Sequence, residues 1–250
     1  MEVHHSHHAG HKKNWKEYLT EFIMLFTAVT LGFFAENLRE SYIESHREKE
    51  YMHTMVEDLK EDTTRLNHSI EITAVKVKAM DSLIRNIYSK PYSDSSLRTM
   101  YFLYRKYLGS ATDVSFSRRT INQLINSGNL RLIKDMAISD SIVLYDINTD
   151  KILRQYTVYH DQYQQRAREL SNRIFDSYYL LDYDRETVNG LLNSNAKVKL
   201  LTNDDLLLKE YANVVYGGKG VLNIYVNILK LQKSRAKNII ELLSKEYGIE

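Results

Sequence analysis

The sequence predicts an all-α protein in which one N-terminal transmembrane helix continues into a long helix of an antiparallel helical bundle. Residues 22–35 form an uncharged, apolar run. Residues 52–87 then repeat an apolar or Thr position at alternating steps of four and three, the periodicity of a helix with one buried seam. The 250 residues include one Pro and nine Gly, so little of the chain is suited to turns.

Composition excludes several classes of function. The 34 basic and 32 acidic residues give a formal charge of +2 and form no basic stripe, so we expect no nucleic-acid binding. Without Cys the chain has no disulfide, thiolate metal site or Cys nucleophile. Because no hydrolase, metalloprotease or dinucleotide-binding motif is present, we predict no enzyme activity, no catalytic residue and no cofactor.

Residues 1–17 are predicted to be a disordered tail rich in His and Lys. Its His side chains could capture Zn²⁺ or Ni²⁺, but a solvated tail is the simpler interpretation. Glu50 and His53 have the spacing of one half of a di-metal site, and no second Glu-x-x-His completes it, so we predict no metal site. The acidic run 57–62 is interpreted as a solvated face.

Residues 18–37 are predicted to form the transmembrane helix, since their length matches the roughly 30 Å hydrocarbon core. The apolar run alone is short enough for a signal peptide, but no small-x-small cleavage site follows it. A short basic tail stays in the cytoplasm, whereas a long domain crosses largely regardless of its charge. We therefore expect residues 38–250 to form a helical bundle outside the membrane.

One face of the transmembrane helix is predicted to contact another helix. Glu21, Ala28 and Ala35 lie seven residues apart with Gly32 beside them, and small residues allow close approach in lipid. The partner is expected to be a second copy or another membrane protein. Alternatively, Glu21 is shallow enough to reach water.

The first long helix is expected to run from Trp15 to Tyr88 and to end before Pro91. Shorter helices follow at 96–108 and 118–127. The second of these is expected to end at Gly128 in the left-handed conformation.

A second long helix is predicted from Ile138 to Leu181 as the antiparallel partner of residues 52–87. Its buried side is rich in Tyr, whose hydroxyl groups need partners. This face therefore either packs through hydrogen bonds or borders a small-molecule pocket. The residues of that possible pocket are Tyr156, Tyr159, Tyr163 and Arg166.

The remaining chain is predicted to contain a partly buried loop at 182–202, a helix capped by Thr202 or Asn203 and ending at Tyr216, and a last helix at 221–247. The glycine-rich residues 217–220 are expected to break the helix. A flexible turn there is favoured over an anion site, because the segment is shorter than a P-loop and lacks its Ser or Thr.

Three stretches of the sequence are similar to segments of known proteins: EFIMLFTAVTLGFFAEN, REKEYMHTMVEDLKED and SGNLRLI. In these the chain resembles a family of uncharacterised single-span inner-membrane proteins common in Bacteroidota. The resemblance implies an inner-membrane anchor and a helical domain on the periplasmic side. It implies no activity.

The predicted function is that of a membrane-anchored scaffold or assembly subunit of the cell envelope. The seam at 52–87 would reach about 54 Å, more than the anchoring of a small domain requires. Its expected partners are the lipid bilayer and a second copy or another membrane protein. The alternative is a sensory or ligand-binding bundle that signals through a membrane partner.

Overall fold

The computed structural model describes residues 14–249, and most of the predicted tail therefore lies outside the described residues. Contacts divide the chain into two units, Met1–Glu50 and Tyr51–Glu250. The described residues form helices and no strand. One isolated antiparallel bridge joins Phe175 and Leu200. The all-α prediction is confirmed.

The helices within residues 14–249 have the following bounds: α1 Trp15–Ile87, α2 Asp94–Leu103, α3 Arg119–Asn126, α4 Met136–Tyr159, α5 Gln165–Ser171, α6 Asn189–Asn193 and α7 Asp205–Tyr247. A π-helical turn, Tyr104–Leu108, extends α2, and a second one, His160–Gln164, joins α4 to α5. Short 3₁₀ turns occupy Asn129–Leu132 and Ser177–Leu180.

The prediction of one helix from Trp15 to Tyr88 is confirmed to within one residue at its end. The predicted tail and the predicted helix overlap at Trp15, Lys16 and Glu17, and the structure places all three in the helix. In the unit Tyr51–Glu250, the seam of α1 is buried as its periodicity predicts. The buried seam residues are Met52, Val56, Leu59, Leu66, Thr73, Met80 and Ile87.

The predicted pairing of the two long helices is wrong. Tyr145 and Tyr159 on α4 contact Asp62 and Lys76 on α1 in the same order along both helices, so α1 and α4 run parallel. The cause is the connecting segment 110–118, which carries the chain back along α1 before α4 begins. The helical pattern predicted to reach Leu181 also ends earlier, at Ser171.

The antiparallel partner of α1 is α7. Lys219 Nζ lies 2.6 Å from Asp81 Oδ1, and Lys233, further along α7, donates a hydrogen bond to Asn67, which precedes Asp81 on α1. The reversed order of these contacts shows that the two helices run in opposite directions.

The predicted break at residues 217–220 is also wrong, because α7 continues through it to Tyr247 from an N-cap at Asp204. A Cβ atom on Gly217 would lie 2.5 Å from Cε1 of Tyr163, and one on Gly218 would lie 3.3 Å from Cε2 of Tyr159. These glycines therefore allow two Tyr rings to approach the α7 backbone closely. The prediction for Gly128 is confirmed, with φ of 69° directly after α3.

Replacing two glycines of α7, Gly217 and Gly220, by alanine should have opposite effects on stability. Gly220 has open space around its Cβ position, so Gly220→Ala should raise the free energy of unfolding by about 0.5–1 kcal/mol through helix propensity. Gly217→Ala should instead lower it by about 1–2 kcal/mol, because the Tyr163 ring must move. Thermal unfolding of the detergent-solubilised chain, followed by circular dichroism, measures both. Equal stabilisation by the two substitutions would show that Gly217 is not needed for packing.

Candidate functional site

The apolar run near the N-terminus is uncovered within the unit Met1–Glu50. Phe22 is 63 % exposed and Phe33 is 70 % exposed, and the apolar residues between them are exposed as well. Among the described residues, α1 is the one helix that is long and apolar enough to cross a membrane, a test that a signal sequence also passes. A possible membrane span is therefore present where the sequence predicts it.

The four residues of the predicted helix-contact face all lie in α1. Glu21, Ala28, Gly32 and Ala35 are exposed. A Cβ atom on Gly32 would meet nothing within 4 Å. This face is therefore open to an approaching helix.

The residues of the predicted Tyr pocket are used mainly in packing. Tyr159 is buried beneath Lys76, whose Nζ lies 5.1 Å from the centre of the ring. The Tyr156 ring lies 5.8 Å from that of Tyr225, and its hydroxyl accepts a 3.4 Å hydrogen bond from the Thr112 N–H. These contacts match the first of the two interpretations, packing combined with hydrogen bonding.

The other two predicted pocket residues, Tyr163 and Arg166, make different contacts. Tyr163 packs on Gly217, and Arg166 is exposed and paired with Glu169 at 3.2 Å and Glu210 at 2.7 Å. Tyr159 and Tyr163 border a cavity of about 10 Å³, which holds at most one water molecule. The structure therefore does not bring the four residues together around a ligand-sized space.

A larger cavity, of about 630 Å³, lies nearby in the unit Tyr51–Glu250 and includes none of those four residues. Its volume falls within the range of roughly 300–1,000 Å³ that is usual for small-molecule sites. The aromatic wall is formed by Tyr104 and Phe175, whose rings stack 4.4 Å apart. The remaining lining residues are Arg105, Leu108, Gly109, Gln164, Ala167, Arg168, Ser171, Asn172, Asp176, Ser177, Leu180, Leu181, Leu201 and Tyr211.

Both π-helical turns of the described chain contribute to this cavity. The turn Tyr104–Leu108 supplies Tyr104, Arg105 and Leu108, and the turn His160–Gln164 supplies Gln164. π-helical turns occur frequently at functional sites because the wider turn redirects side chains. Sequence reasoning missed these residues, since the apolar periodicity of the chain gives no signal for a π turn.

The wall of the cavity leads directly into the connecting segment 110–118, which a row of buried polar residues on α1 holds in place. Lys76 Nζ donates to the Ser110 carbonyl at 2.6 Å, and Ser69 Oγ donates to the Thr112 carbonyl at 2.8 Å. Further along, Asp62 accepts from the Ser117 N–H at 2.7 Å.

Asp58 completes this row, which we call the polar stripe: Asp58, Asp62, Ser69 and Lys76. Its carboxylate accepts from the Thr120 N–H at 2.9 Å and so caps the N-terminus of α3. The interpretation of residues 57–62 as a solvated face is therefore wrong for Asp58 and Asp62, which are buried.

Asp62 also belongs to a polar layer that crosses the bundle. The Tyr145 hydroxyl donates to Asp62 at 2.9 Å, and Gln232 Nε2 donates to the Tyr145 carbonyl at 2.9 Å and to Thr149 Oγ1 at 3.1 Å. The buried apolar residues form one cluster on each side of this layer.

Burial shifts the protonation equilibria of two residues in the polar stripe. It raises the pKa of Asp62 to about 6, because desolvation outweighs the hydrogen bonds from Ser117 and Tyr145. It lowers the pKa of Lys76 to about 7, and the positive charges of Arg185 and Arg168 add to this effect. In the core, the uncharged form of each side chain is therefore favoured more than it would be on the surface.

Asp62→Asn should change how stability depends on pH. A carboxyl group that binds its proton more tightly in the folded state gains stability as pH falls from 7 to 4, by up to about 3 kcal/mol. The wild-type chain should therefore become more stable relative to Asp62→Asn across that interval. Denaturant unfolding of both proteins in detergent at several pH values measures the difference.

Asp182, which is exposed, provides the matched control. Asp182→Asn should follow the wild-type pH profile. If the profiles of Asp62→Asn and the wild type ran parallel from pH 7 to pH 4, Asp62 would not be the group that titrates in the core.

Residues 14–249 contain no group of three His, Asp or Glu side chains placed to hold a metal ion. His53 instead lies 3.7 Å from Glu57 on the surface of α1. The 630 Å³ cavity and the open face of α1 are the two surfaces on which the proposed functions are based.

Comparison of the chain with protein-family models, curated proteins and solved structures found no match.

Proposed function

We propose that the protein is a single-pass inner-membrane protein whose helical domain lies in the periplasm and acts as a scaffold or assembly subunit of the cell envelope. The observation that carries the proposal is the uncovered apolar surface of residues 22–35, since so many exposed large apolar side chains need lipid around them. The resemblance to single-span Bacteroidota proteins supports the inner membrane and the periplasmic domain. We assign the protein no catalytic activity.

The open face of α1 supports assembly through the membrane helix. In lipid, helices associate mainly through close packing, and small residues permit the closest approach. Ala28, Gly32 and Ala35 supply such a surface, with Glu21 at its cytoplasmic end. We propose a second copy of the chain as the partner and another membrane protein as the alternative.

Cysteine cross-linking tests this proposal cleanly because the chain has no Cys of its own. Ala28→Cys should form a disulfide-linked dimer when native membranes are oxidised. Thr30 is exposed at a similar depth but points about 200° away around the helix, so Thr30→Cys should cross-link several-fold less. Gel electrophoresis and mass spectrometry identify the products.

Equal cross-linking of the two variants would contradict a specific contact face. A product that contains a different protein would assign the face to that membrane partner instead. Monomer alone, at native expression levels, would contradict assembly through α1.

The orientation is tested by a Cys placed in the outer domain. Ser95 is exposed, and Ser95→Cys should react with a membrane-impermeant maleimide in intact spheroplasts. Reaction only after lysis would place this domain in the cytoplasm. Recovery of a soluble, shortened chain would show that residues 18–37 are a cleaved signal rather than an anchor.

Ligand binding is the second candidate function, and the 630 Å³ cavity favours it. In that case the bundle would act as a sensory or ligand-binding domain that signals through a membrane partner. The two functions are compatible, because the cavity residues belong to the unit Tyr51–Glu250 and the proposed contact face to the unit Met1–Glu50.

A further inference from the structure

A strip of exposed residues along α7 is almost free of charge. From Asn213 to Asn238 the helix exposes nine uncharged residues, and two lysines, Lys230 and Lys237, lie toward one edge. The uncharged residues are Asn213, Tyr216, Gly220, Asn223, Ile224, Asn227, Leu231, Ser234 and Asn238. Charged residues make up 26 % of the whole chain, so this strip differs in composition from the rest of the protein.

Six positions of the strip repeat at alternating steps of four and three, the periodicity of a helix that packs along another helix. They are Gly220, Ile224, Asn227, Leu231, Ser234 and Asn238, which we call the outer seam. Ile224 is 55 % exposed and Leu231 is 52 % exposed. Lys219 and Lys233, on the opposite side of α7, contact α1. The bundle therefore leaves the outer seam of α7 uncovered.

An apolar strip of α4 borders the same surface. Leu144 is 51 % exposed and Ile147 is 46 % exposed. The connecting segment covers one flank of α4, where Arg118 pairs with Asp146 at 2.7 Å. At about 100° per residue, Leu144 lies on the other flank, toward α7. The exposed strips of α4 and α7 thus form one outer face of the unit Tyr51–Glu250.

This outer face is large enough for a stable interface. At 1.5 Å per residue, Asn213 to Asn238 covers about 38 Å, and a helix face about 10 Å wide gives roughly 400 Å². On α4 the exposed strip from Met136 to Val158 adds about 33 Å of similar width. The sum approaches the roughly 800 Å² that each partner contributes to a stable interface.

The lack of charge on the outer seam points to a second copy of the chain as the partner. When two identical helices pair in parallel and in register, each seam residue meets its own counterpart, so a charged residue would face a like charge. Ile224 and Leu231 are apolar, and the amide of Asn227 both donates and accepts a hydrogen bond, so each of them suits its counterpart. An acidic or basic partner would instead require a seam of the opposite charge.

Two charges beside the outer seam fit the same arrangement. Asp140 and Lys237 make no hydrogen bond or ion pair within the described part of the chain. Gln232 contacts Tyr145, and α4 and α7 run in opposite directions, so Asp140 and Lys237 lie at the same height, five residues from that contact on each helix. They lie on opposite flanks of the seam. A two-fold rotation about an axis along the seam therefore brings Asp140 of one copy toward Lys237 of the other.

We propose that the outer face of α4 and α7 is a contact between two copies of the chain, which pair α7 with α7 in parallel and in register along the outer seam. Ile224 and Leu231 pack against their counterparts, the Asn227 amides bond to each other, and Asp140 pairs with Lys237 of the second copy. The inference rests on the proposed self-assembly and adds a second contact to that of the membrane helix. Anchoring in one membrane raises the local concentration of the copies, which favours such a contact.

Disulfide cross-linking in native membranes tests the proposal. Asn227→Cys should form a disulfide-linked dimer on oxidation, because each Cys lies beside its counterpart on the outer seam. Val75, which is 46 % exposed on α1, provides the control. It lies at the height of Ile224 but on another side of the bundle, so Val75→Cys should cross-link several-fold less. Gel electrophoresis and mass spectrometry identify the products.

Opposite charges at Leu231 test the register. Leu231→Arg or Leu231→Glu alone should reduce the Asn227→Cys dimer several-fold, since like charges would face each other. Co-expression of the two variants with different tags should restore a mixed dimer, because Arg then faces Glu. Leu231 is exposed, and circular dichroism confirms that both variants remain helical.

Equal cross-linking of Asn227→Cys and Val75→Cys would overturn the proposal, and so would failure of the opposite charges to restore the dimer. A product that contains a different protein would assign the outer face to that protein and overturn the second copy as partner. If Ala28→Cys dimerises when Asn227→Cys does not, assembly through the membrane helix stands and the α7 contact alone fails.

Discussion

Asp62 is the side chain at which α1, α4 and the connecting segment 110–118 meet. One carboxylate oxygen accepts the Ser117 N–H and the other accepts the Tyr145 hydroxyl. A displacement of α4 along α1 would leave this buried carboxylate short of a partner, which typically costs several kcal/mol. Apolar side chains alone tolerate more than one packing register, so we infer that the polar layer selects the one observed.

One wall of the cavity depends on the hydrogen bonds made by the polar stripe of α1. Leu108 and Gly109 line it, and the next residue, Ser110, is held through its carbonyl by Lys76. The polar stripe therefore fixes one wall of the candidate ligand site as well as the N-terminus of α3. Three buried polar residues of α1, Asp62, Ser69 and Lys76, provide hydrogen-bond partners for backbone groups of segment 110–118, which has no secondary structure of its own.

The sequence was sufficient wherever the information was local. Apolar spacing located α1 to within one residue of its end, and Gly128 was recognised because its position after a helix requires a left-handed residue. Gly217 and Gly218 were misinterpreted because their role depends on Tyr rings from another helix. The cavity was missed for the same reason: Arg105, Gln164 and Tyr211 are far apart in sequence, and π turns leave no mark in the apolar pattern.

Amide hydrogen exchange at Ser117 and Thr120, resolved residue by residue, tests most directly whether the polar stripe organises the bundle. Both amides lie outside the backbone ladders of the helices, and each donates to a buried carboxylate of α1. We predict that they exchange as slowly as the amides in the core of α1 and α7. Exchange at the rate of an open loop, with α1 and α7 still protected, would contradict the claim that Asp58 and Asp62 hold this part of the structure together.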